Sequence, residues 1–147
     1  MVLKYNTDEL KKYIHEIYAK LKSLAEKDKV YEPLNIHFAD EMPQGYDGTY
    51  CYADKNNYHY RYVERGVVQQ HYKTQSLVEI TYWVLEPQIF SMSVEYERKH
   101  RINNQDSRRI IFKKEFQFFE ILGGEYKKRA ELEINEILKK HPFHDKH

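Results

Sequence analysis

The chain has 147 residues, enough for one ordinary domain with a real core, and we expect a single domain over residues 1–147. Apolar residues make up 41% and charged residues 32%, with five Gly and four Pro, so the composition excludes the disordered and fibrous classes. Twenty-four Lys and Arg against 23 Asp and Glu give a formal net charge of +1, which argues against a strongly basic nucleic-acid binder.

The cysteine content and the amino-terminal segment favour a cytoplasmic protein. The single Cys51 cannot form an intramolecular disulfide, and residues 1–13 carry no apolar signal region. No window approaches ~18 consecutive apolar residues, so we expect no membrane association. His15, His37, His59 and His71 lie on separate elements, the terminal His141, His144 and His147 are interrupted by Pro142, and none forms an HExxH-type pair. No glycine-rich phosphate loop is present, so we expect no metal and no cofactor.

The first predicted element is an amphipathic helix over about residues 7–27. Asn6 and Glu9 are spaced as a capping box at its start. The apolar residues at helical spacing are Leu10, Ile14, Ile17, Leu21 and Leu24. A brief alternation over residues 34–38 then predicts a short edge strand, followed by a loop over residues 40–49.

Residues 49–74 give the clearest strand signal, because aromatic and polar residues alternate along them. Turn residues at 54–57 and 64–66 divide the segment into three strands with tight connections, which predicts antiparallel pairing. If the alternation stays in phase, one face of the sheet carries five tyrosines: Tyr50, Tyr52, Tyr58, Tyr60 and Tyr62. These rings either pack on helices or form a recognition surface, since Tyr is enriched at interfaces.

A second helix is predicted after the strands. Ser76 and Glu79 form another capping box, and the residues around Trp83 are apolar on nearly all sides, so this helix should be buried. Pro87 removes a backbone donor, so we expect the helix to kink or restart there and to continue to about residue 100.

Two more helices complete the chain. Asp106 can cap a third helix that ends at Leu122 before two glycines, and a fourth helix covers about residues 125–140 before Pro142. The order of elements predicts an α+β fold in which a small antiparallel β-meander packs against three to four α-helices, with the Trp83 helix central.

Three charged residues fall on the apolar sides of the predicted helices. Arg108 and Glu115 lie within the apolar arc of the third helix, and Glu95 points the same way if the second helix continues in phase through Pro87. Ionised side chains are rarely buried alone, so we expect these three to meet, with Asp106 nearby. The cluster is either an ionic clasp between two helices or a polar site that grips a ligand or a partner.

The second half of the chain carries the runs 82–85, 90–97, 100–102 and 105–112, and the ending 136–143. Together they resemble the immunity protein 63 family, whose members are predicted immunity proteins encoded beside toxin genes in bacterial polymorphic toxin systems. The resemblance implies an intracellular antidote that neutralises a cognate toxin by direct binding and is not an enzyme. It also makes Glu95 and the Asp106, Arg108 and Arg109 positions motif-like.

Interface anchors are typically aromatic residues and Arg, so our candidates for toxin contact are Tyr58, Tyr60, Arg61, Tyr62 and Arg109. If the tyrosines are core residues, the loop over residues 40–49 is the next candidate.

Other functions remain open at this point. One alternative is a nucleic-acid or nucleotide-binding regulatory domain, because sheet tyrosines can stack on bases and residues 95–114 contain seven Lys or Arg against three Asp or Glu. A second alternative is a small hydrolase that uses Glu95 with a nearby His. A nucleophilic Cys51–His59 pair is weaker, because no third group is evident to orient the His.

Overall fold

The computed structural model describes residues 3–40 and 45–146. In these ranges the chain forms five helices and four strands, which confirms the predicted α+β class. The elements in chain order are α1 (Thr7–Ala19), α2 (Lys22–Lys27), β1 (Ile36–His37), β2 (Gly48–Ala53), β3 (Tyr58–Glu64), β4 (Val67–Thr74), α3 (Leu77–Lys99), α4 (Arg108–Leu122) and α5 (Gly124–Lys140).

The described residues divide into two compact units. One comprises those up to Tyr18 together with those from Pro33 to Glu86, and it contains the sheet. The other comprises Ala19–Glu32 and the described residues from Pro87 onward. The expectation of a single domain stays a prediction. Among the described residues, no helix is both long and apolar enough to cross a membrane.

The amino-terminal helix begins where the capping box predicts. The Asn6 side chain accepts a hydrogen bond from the Glu9 N–H at 2.9 Å, and the Glu9 carboxylate accepts one from the Asn6 N–H at 3.1 Å. Thr7 then ties the helix to the end of β2, since its hydroxyl accepts from the Ala53 N–H at 3.0 Å and donates to the Ala53 carbonyl at 3.2 Å. The predicted single helix is divided at residues 20–21, which yields five helices rather than three or four.

The sheet has the order β1-β2-β3-β4. The pairs β2–β3 and β3–β4 are antiparallel, so the predicted meander and both of its turns are confirmed. The short strand β1 adds to the edge at β2 in parallel, which makes the sheet mixed.

The strand register corrects the expected five-tyrosine face. Ala53 pairs with Tyr58, so Tyr52 lies opposite His59 and Cys51 lies opposite Tyr60. Because residues opposite each other on neighbouring strands share a face, even-numbered residues of β2 lie beside odd-numbered residues of β3. One face therefore carries Tyr50, Tyr52, His59 and Arg61, and the other carries Cys51, Tyr58, Tyr60 and Tyr62.

The turn between β3 and β4 is a two-residue hairpin turn. Arg65 and Gly66 both have positive φ, of 53° and 75°, as this type of tight turn requires. The Asp47 carboxylate accepts the backbone N–H groups of Arg65 at 2.8 Å and Gly66 at 3.0 Å. The hydrogen bond from Gly66, followed by that from Arg65, lowers the pKa of Asp47. The two bonds also attach the described part of the preceding loop to the hairpin tip.

Helix α3 runs without a break from Leu77 to Lys99 with Pro87 inside it, so the expected restart at Pro87 is wrong. Pro87 has no N–H to offer the carbonyl of Trp83 one turn earlier, and the helix tolerates that lost bond. At its start, the Ser76 hydroxyl accepts the Glu79 N–H at 3.1 Å, as the capping pattern predicts.

The helices α4 and α5 pack around a small apolar cluster of Ile111, Phe112 and Ile134. Helix α4 ends at Leu122 as predicted, because Gly123 has a φ of 141°, which L side chains rarely adopt. Helix α5 follows at once and ends at Lys140, just before Pro142.

Candidate functional site

Arg108 does not join Glu95 and Glu115 in an ionic cluster, which corrects that prediction. Its guanidinium binds Asp106, with Nη2 at 2.8 Å from Oδ2. It also donates to the backbone carbonyls of His141 at 2.7 Å and Pro142 at 2.8 Å. Arg108 therefore fastens the carboxy-terminal segment to the start of α4.

Glu95 lies on the solvent side of α3 and pairs with Arg98 at 2.6 Å within the same helix. The hydrogen bond from Arg98 lowers the pKa of Glu95. The buried glutamate of this helix is Glu97, which is 3% exposed and pairs with Arg101 at 3.0 Å. Because α3 is apolar on nearly all sides, the sequence does not fix which side of the helix is buried, and the expectation that Glu95 faces the core is wrong. Glu115 is buried, as its position in the apolar arc predicts.

A buried lysine that the sequence did not single out forms an ion pair that is largely shielded from solvent. Lys114 pairs with Asp28 and donates to the Gln117 side chain at 2.8 Å. Its ammonium lies 4.1 Å from the centre of the Tyr96 ring and 5.3 Å from that of Phe118. Because Lys114 is buried, the contact acts in packing rather than in binding a partner. The one signal in the sequence is the position of Lys114 beside Glu115 and one turn before Phe118.

Arg109, a candidate for toxin contact, is partly exposed and already engaged. It pairs with Asp145 at 2.9 Å, and its guanidinium lies 4.4 Å from the centre of the Phe143 ring. A surface depression of about 500 Å³ lies beside this region, lined by residues 101–107, His144 and Lys146. Glu95, the residue of the hydrolase alternative, does not line this depression.

Two of the tyrosine candidates are core residues. Tyr58 is 1% exposed and accepts the Tyr5 N–H at 3.2 Å, and Tyr60 is 8% exposed and stacks with Tyr72 at 6.2 Å between ring centres. The packing interpretation holds for both, and neither offers a ring to a partner. Tyr62 and Arg61 are half-buried on opposite faces of β3.

Three of the four large exposed apolar side chains among the described residues of the sheet unit belong to β4, and the fourth, Tyr46, lies in the loop before β2. Every residue of β4 from Val67 to Lys73 is exposed, and β4 is an edge of the sheet. The large apolar residues are Tyr46 at 50%, Val67 at 58%, Val68 at 49% and Tyr72 at 50% exposed, and we call these four the hairpin surface. Within the candidate loop over residues 40–49, positions 41–44 lie outside the described residues, and Tyr46 precedes the Asp47 that binds the hairpin tip.

A hydrogen-bonded chain of Asp54, His59 and His71 crosses one face of the sheet. The Asp54 carboxylate lies 2.6 Å from His59 Nε2, and His59 Nδ1 lies 2.9 Å from His71 Nε2. The N–H groups of Asn56 and Asn57, with His59, lower the pKa of Asp54 to about 2. Desolvation, together with nearby cationic groups, lowers the pKa of His71.

Cys51 takes no part in this chain, because it lies on the opposite face from His59. It is buried, and desolvation raises the pKa of its thiol far above the usual range. A Cys51–His59 nucleophile pair is therefore wrong. Within the part of the chain that the structure describes, no group of three His, Cys, Asp or Glu side chains is arranged to hold a metal ion.

Comparison with known proteins gives one match. A family model described as immunity protein 63 matches residues 54–136, which is more than half of the chain. The matched range begins in the turn before β3 and ends within α5, so it includes the hairpin, α3 and α4. No curated protein and no solved structure matches the chain.

Proposed function

Because the chain belongs to the immunity protein 63 family, we propose that it neutralises a cognate bacterial toxin by binding it directly. The observation that carries this proposal is the family match over residues 54–136, since an immunity protein implies a toxin as its partner. We propose further that the toxin is encoded by an adjacent gene, that binding takes place in the cytoplasm, and that the chain contributes no chemistry of its own.

The hairpin surface supports binding through the sheet unit. Large apolar side chains that are exposed together mark interaction sites, and the centres of interfaces are rich in aromatic residues. Tyr46 and Tyr72 provide two half-exposed rings, and Val67 and Val68 provide two exposed aliphatic side chains next to the hairpin turn. Among the residues first selected for toxin contact, Arg61 and Tyr62 lie next to this surface on β3, whereas Arg109 belongs to the carboxy-terminal contact.

The local charges do not favour the nucleic-acid alternative. Of the seven Lys and Arg in residues 95–114, six form ion pairs with carboxylates: Arg98, Lys99, Arg101, Arg108, Arg109 and Lys114. Cations that are paired internally contribute little to attraction of a phosphate backbone. Most of the positive charges in residues 95–114 are therefore neutralised by carboxylates of the same chain.

Calorimetry with the purified product of the adjacent toxin gene, made inactive by mutation, tests the proposal. We expect a stable complex with a Kd of about 10⁻⁷ M or tighter, the range of specific interfaces of standard size. When the wild-type chain is added to the active toxin, we expect it to abolish the toxin's activity. An unrelated immunity protein is the negative control. If neither binding nor inhibition occurs with the wild-type chain, the proposed function is wrong.

A pair of variants then locates the contact. Tyr46→Ala removes an exposed ring of the hairpin surface, and Leu132→Ala removes an exposed apolar side chain of α5. We expect Tyr46→Ala to weaken binding by about tenfold and Leu132→Ala to leave it unchanged, since interface energy is concentrated in aromatic anchors. Equal effects of the two variants would contradict the assignment to the hairpin.

A further inference from the structure

The outer side of β4 offers backbone groups for pairing. β4 hydrogen-bonds along one side to β3 and ends the strand order of the described sheet. An edge strand directs alternate N–H and C=O groups outward, where a further strand can pair with them. Since Val67–Lys73 are all exposed, nothing in the described ranges covers this edge.

The outer edge of β4 has few of the features that usually prevent an edge strand from pairing with another chain, such as a short length, charged residues or Pro. At eight residues β4 is the longest strand of the described ranges, and Lys73 is its only Lys, Arg, Asp or Glu. One irregularity occurs near the hairpin, where the pair Val63–Val68 is followed by Tyr62–Gln70, so that β4 has one extra residue. Beyond it, Gln70–Thr74 pairs regularly, and five residues are the length of an ordinary strand.

The charges beside this edge are mainly positive. Arg61 lies opposite His71 in the register, and Lys73 follows on the same face. Neither Arg61 nor Lys73 forms an ion pair with a described residue. The Arg61 guanidinium lies 5.3 Å from the centre of the Tyr50 ring and hydrogen-bonds Tyr52, while its Nε is buried without a hydrogen-bond partner. Of the acids near this face, the Asp54 carboxylate is already hydrogen-bonded to His59 and to the N–H groups of Asn56 and Asn57. Desolvation, together with the negative charge of Asp40, raises the pKa of Tyr52.

An acidic strand suits this edge better than a second copy of the chain. A second copy would add another set of the same cations to the same face, and like charges on neighbouring strands destabilise pairing. An extended segment with Asp or Glu opposite Lys73 and His71 of β4, the second of which lies beside Arg61 of β3, would instead pair with both the backbone and the charges.

We therefore infer that an extended, acidic segment of the toxin docks on the outer edge of β4 as a fifth strand of the sheet. This inference rests on the proposed function and specifies its mode of binding. Main-chain hydrogen bonds to β4 would provide affinity, and the hairpin surface with the Arg61, His71 and Lys73 side chains would select the segment.

Amide hydrogen exchange distinguishes strand addition from other contacts. The complex of the full chain with inactive toxin is compared with the free chain. We expect slower exchange of the outward amides of residues 67–74 in the complex, because strand pairing buries and bonds them. Unchanged exchange across β4 in a complex that does form would overturn the inference while leaving the proposed function intact.

Matched charge and apolar substitutions give an independent test. Lys73→Glu and Val68→Lys change β4, and Lys128→Glu and Leu132→Lys make matching charge reversals and apolar-to-Lys exchanges at exposed positions of α5. We expect each β4 variant to weaken toxin binding by about tenfold or more and each α5 variant to change it by less than about twofold. Circular dichroism and thermal melting confirm that all four variants are folded.

The remaining outcomes separate the inference from its alternatives. Absence of any complex with the wild-type chain overturns the proposed function and the inference together. A wild-type dimer in sedimentation that Val68→Lys converts to monomer would assign the edge to a second copy. Retention of a labelled single-stranded RNA that Lys73→Glu abolishes would assign it to nucleic acid. Either of these results, with toxin binding unaffected by the β4 variants, overturns the inference.

Discussion

At the scale of single residues, Lys114 shows how this chain buries a charge. Its ammonium is surrounded by a carboxylate, a side-chain amide and two aromatic rings, provided by Asp28, Gln117, Tyr96 and Phe118. A buried ion is tolerated only when such partners replace its lost hydration. Removal of one partner leaves the other charge without compensation, so the contact should be sensitive to truncation.

We predict that Lys114→Ala lowers the free energy of unfolding by about 3 kcal/mol, because Asp28 then lacks its counter-ion. Urea denaturation measures the change. The neighbouring Lys113→Ala, at an exposed position of the same helix, should change stability by less than about 0.5 kcal/mol. A loss below about 1 kcal/mol for Lys114→Ala would contradict the description of this pair as a buried contact.

At the scale of elements, the carboxy-terminal segment is held against the start of α4 by several polar contacts. Arg108 donates to the carbonyls of His141 and Pro142, and the Asp106 carboxylate accepts the His144 N–H at 2.8 Å. The hydrogen bond from Arg108 is the main cause that lowers the pKa of Asp106. The attachment of the carboxy-terminal segment therefore depends on the ionised form of the Asp106 carboxylate, which accepts these hydrogen bonds.

We predict that Arg108→Ala costs about 1–2 kcal/mol at pH 7, because it removes hydrogen bonds of a partly exposed charged group. The pKa of Asp106 is lowered in the folded state, so its contribution is present above the unfolded value of about 4 and is lost as the pH falls further. The difference between wild type and Arg108→Ala should therefore begin to shrink below about pH 4 and shrink further down to about pH 2 in urea denaturation. A difference that is the same at pH 7 and pH 2 would show that Asp106 is not the partner that matters.

The local elements could be predicted from the sequence because their signals are local. The Asn6–Glu9 capping box, the turns around Asp54 and Gly66, and the end of α4 at Gly123 each depend on a few adjacent residues. The break after Ala19 could not be predicted, because Leu21 and Leu24 continue the apolar spacing across it.

The candidate site was harder to predict, because it depends on phase and on contacts between distant residues. One residue of register decides whether Tyr52 lies with Tyr58 or with His59, and the sequence does not state the register. The apolar surroundings of α3 hide which of Glu95 and Glu97 is buried. The exposure of β4 depends on its position at the sheet edge, and strand order is set by the assembled sheet.

At the scale of the whole molecule, the net charge of +1 conceals an uneven distribution of ion pairs. Along α3 and α4 the charges are largely matched by near neighbours, whereas Arg61 and Lys73 in the sheet unit have no ionic partner among the described residues. The same part of the chain carries the hairpin surface and falls within the residues matched by the immunity protein 63 model. Exposed apolar side chains, cations without an ionic partner and an open strand edge therefore all occur on β3, β4 and the loop before β2.

Growth of cells that express the active toxin is the most direct measurement of the central claim. We predict that co-expression of the wild-type chain restores growth and that the Lys128→Glu, Leu132→Lys double variant restores it equally. The Lys73→Glu, Val68→Lys double variant, present at the same level in the cell, should fail. Cells that stop growing even though the wild-type chain accumulates as soluble protein would contradict the claim that it neutralises this toxin.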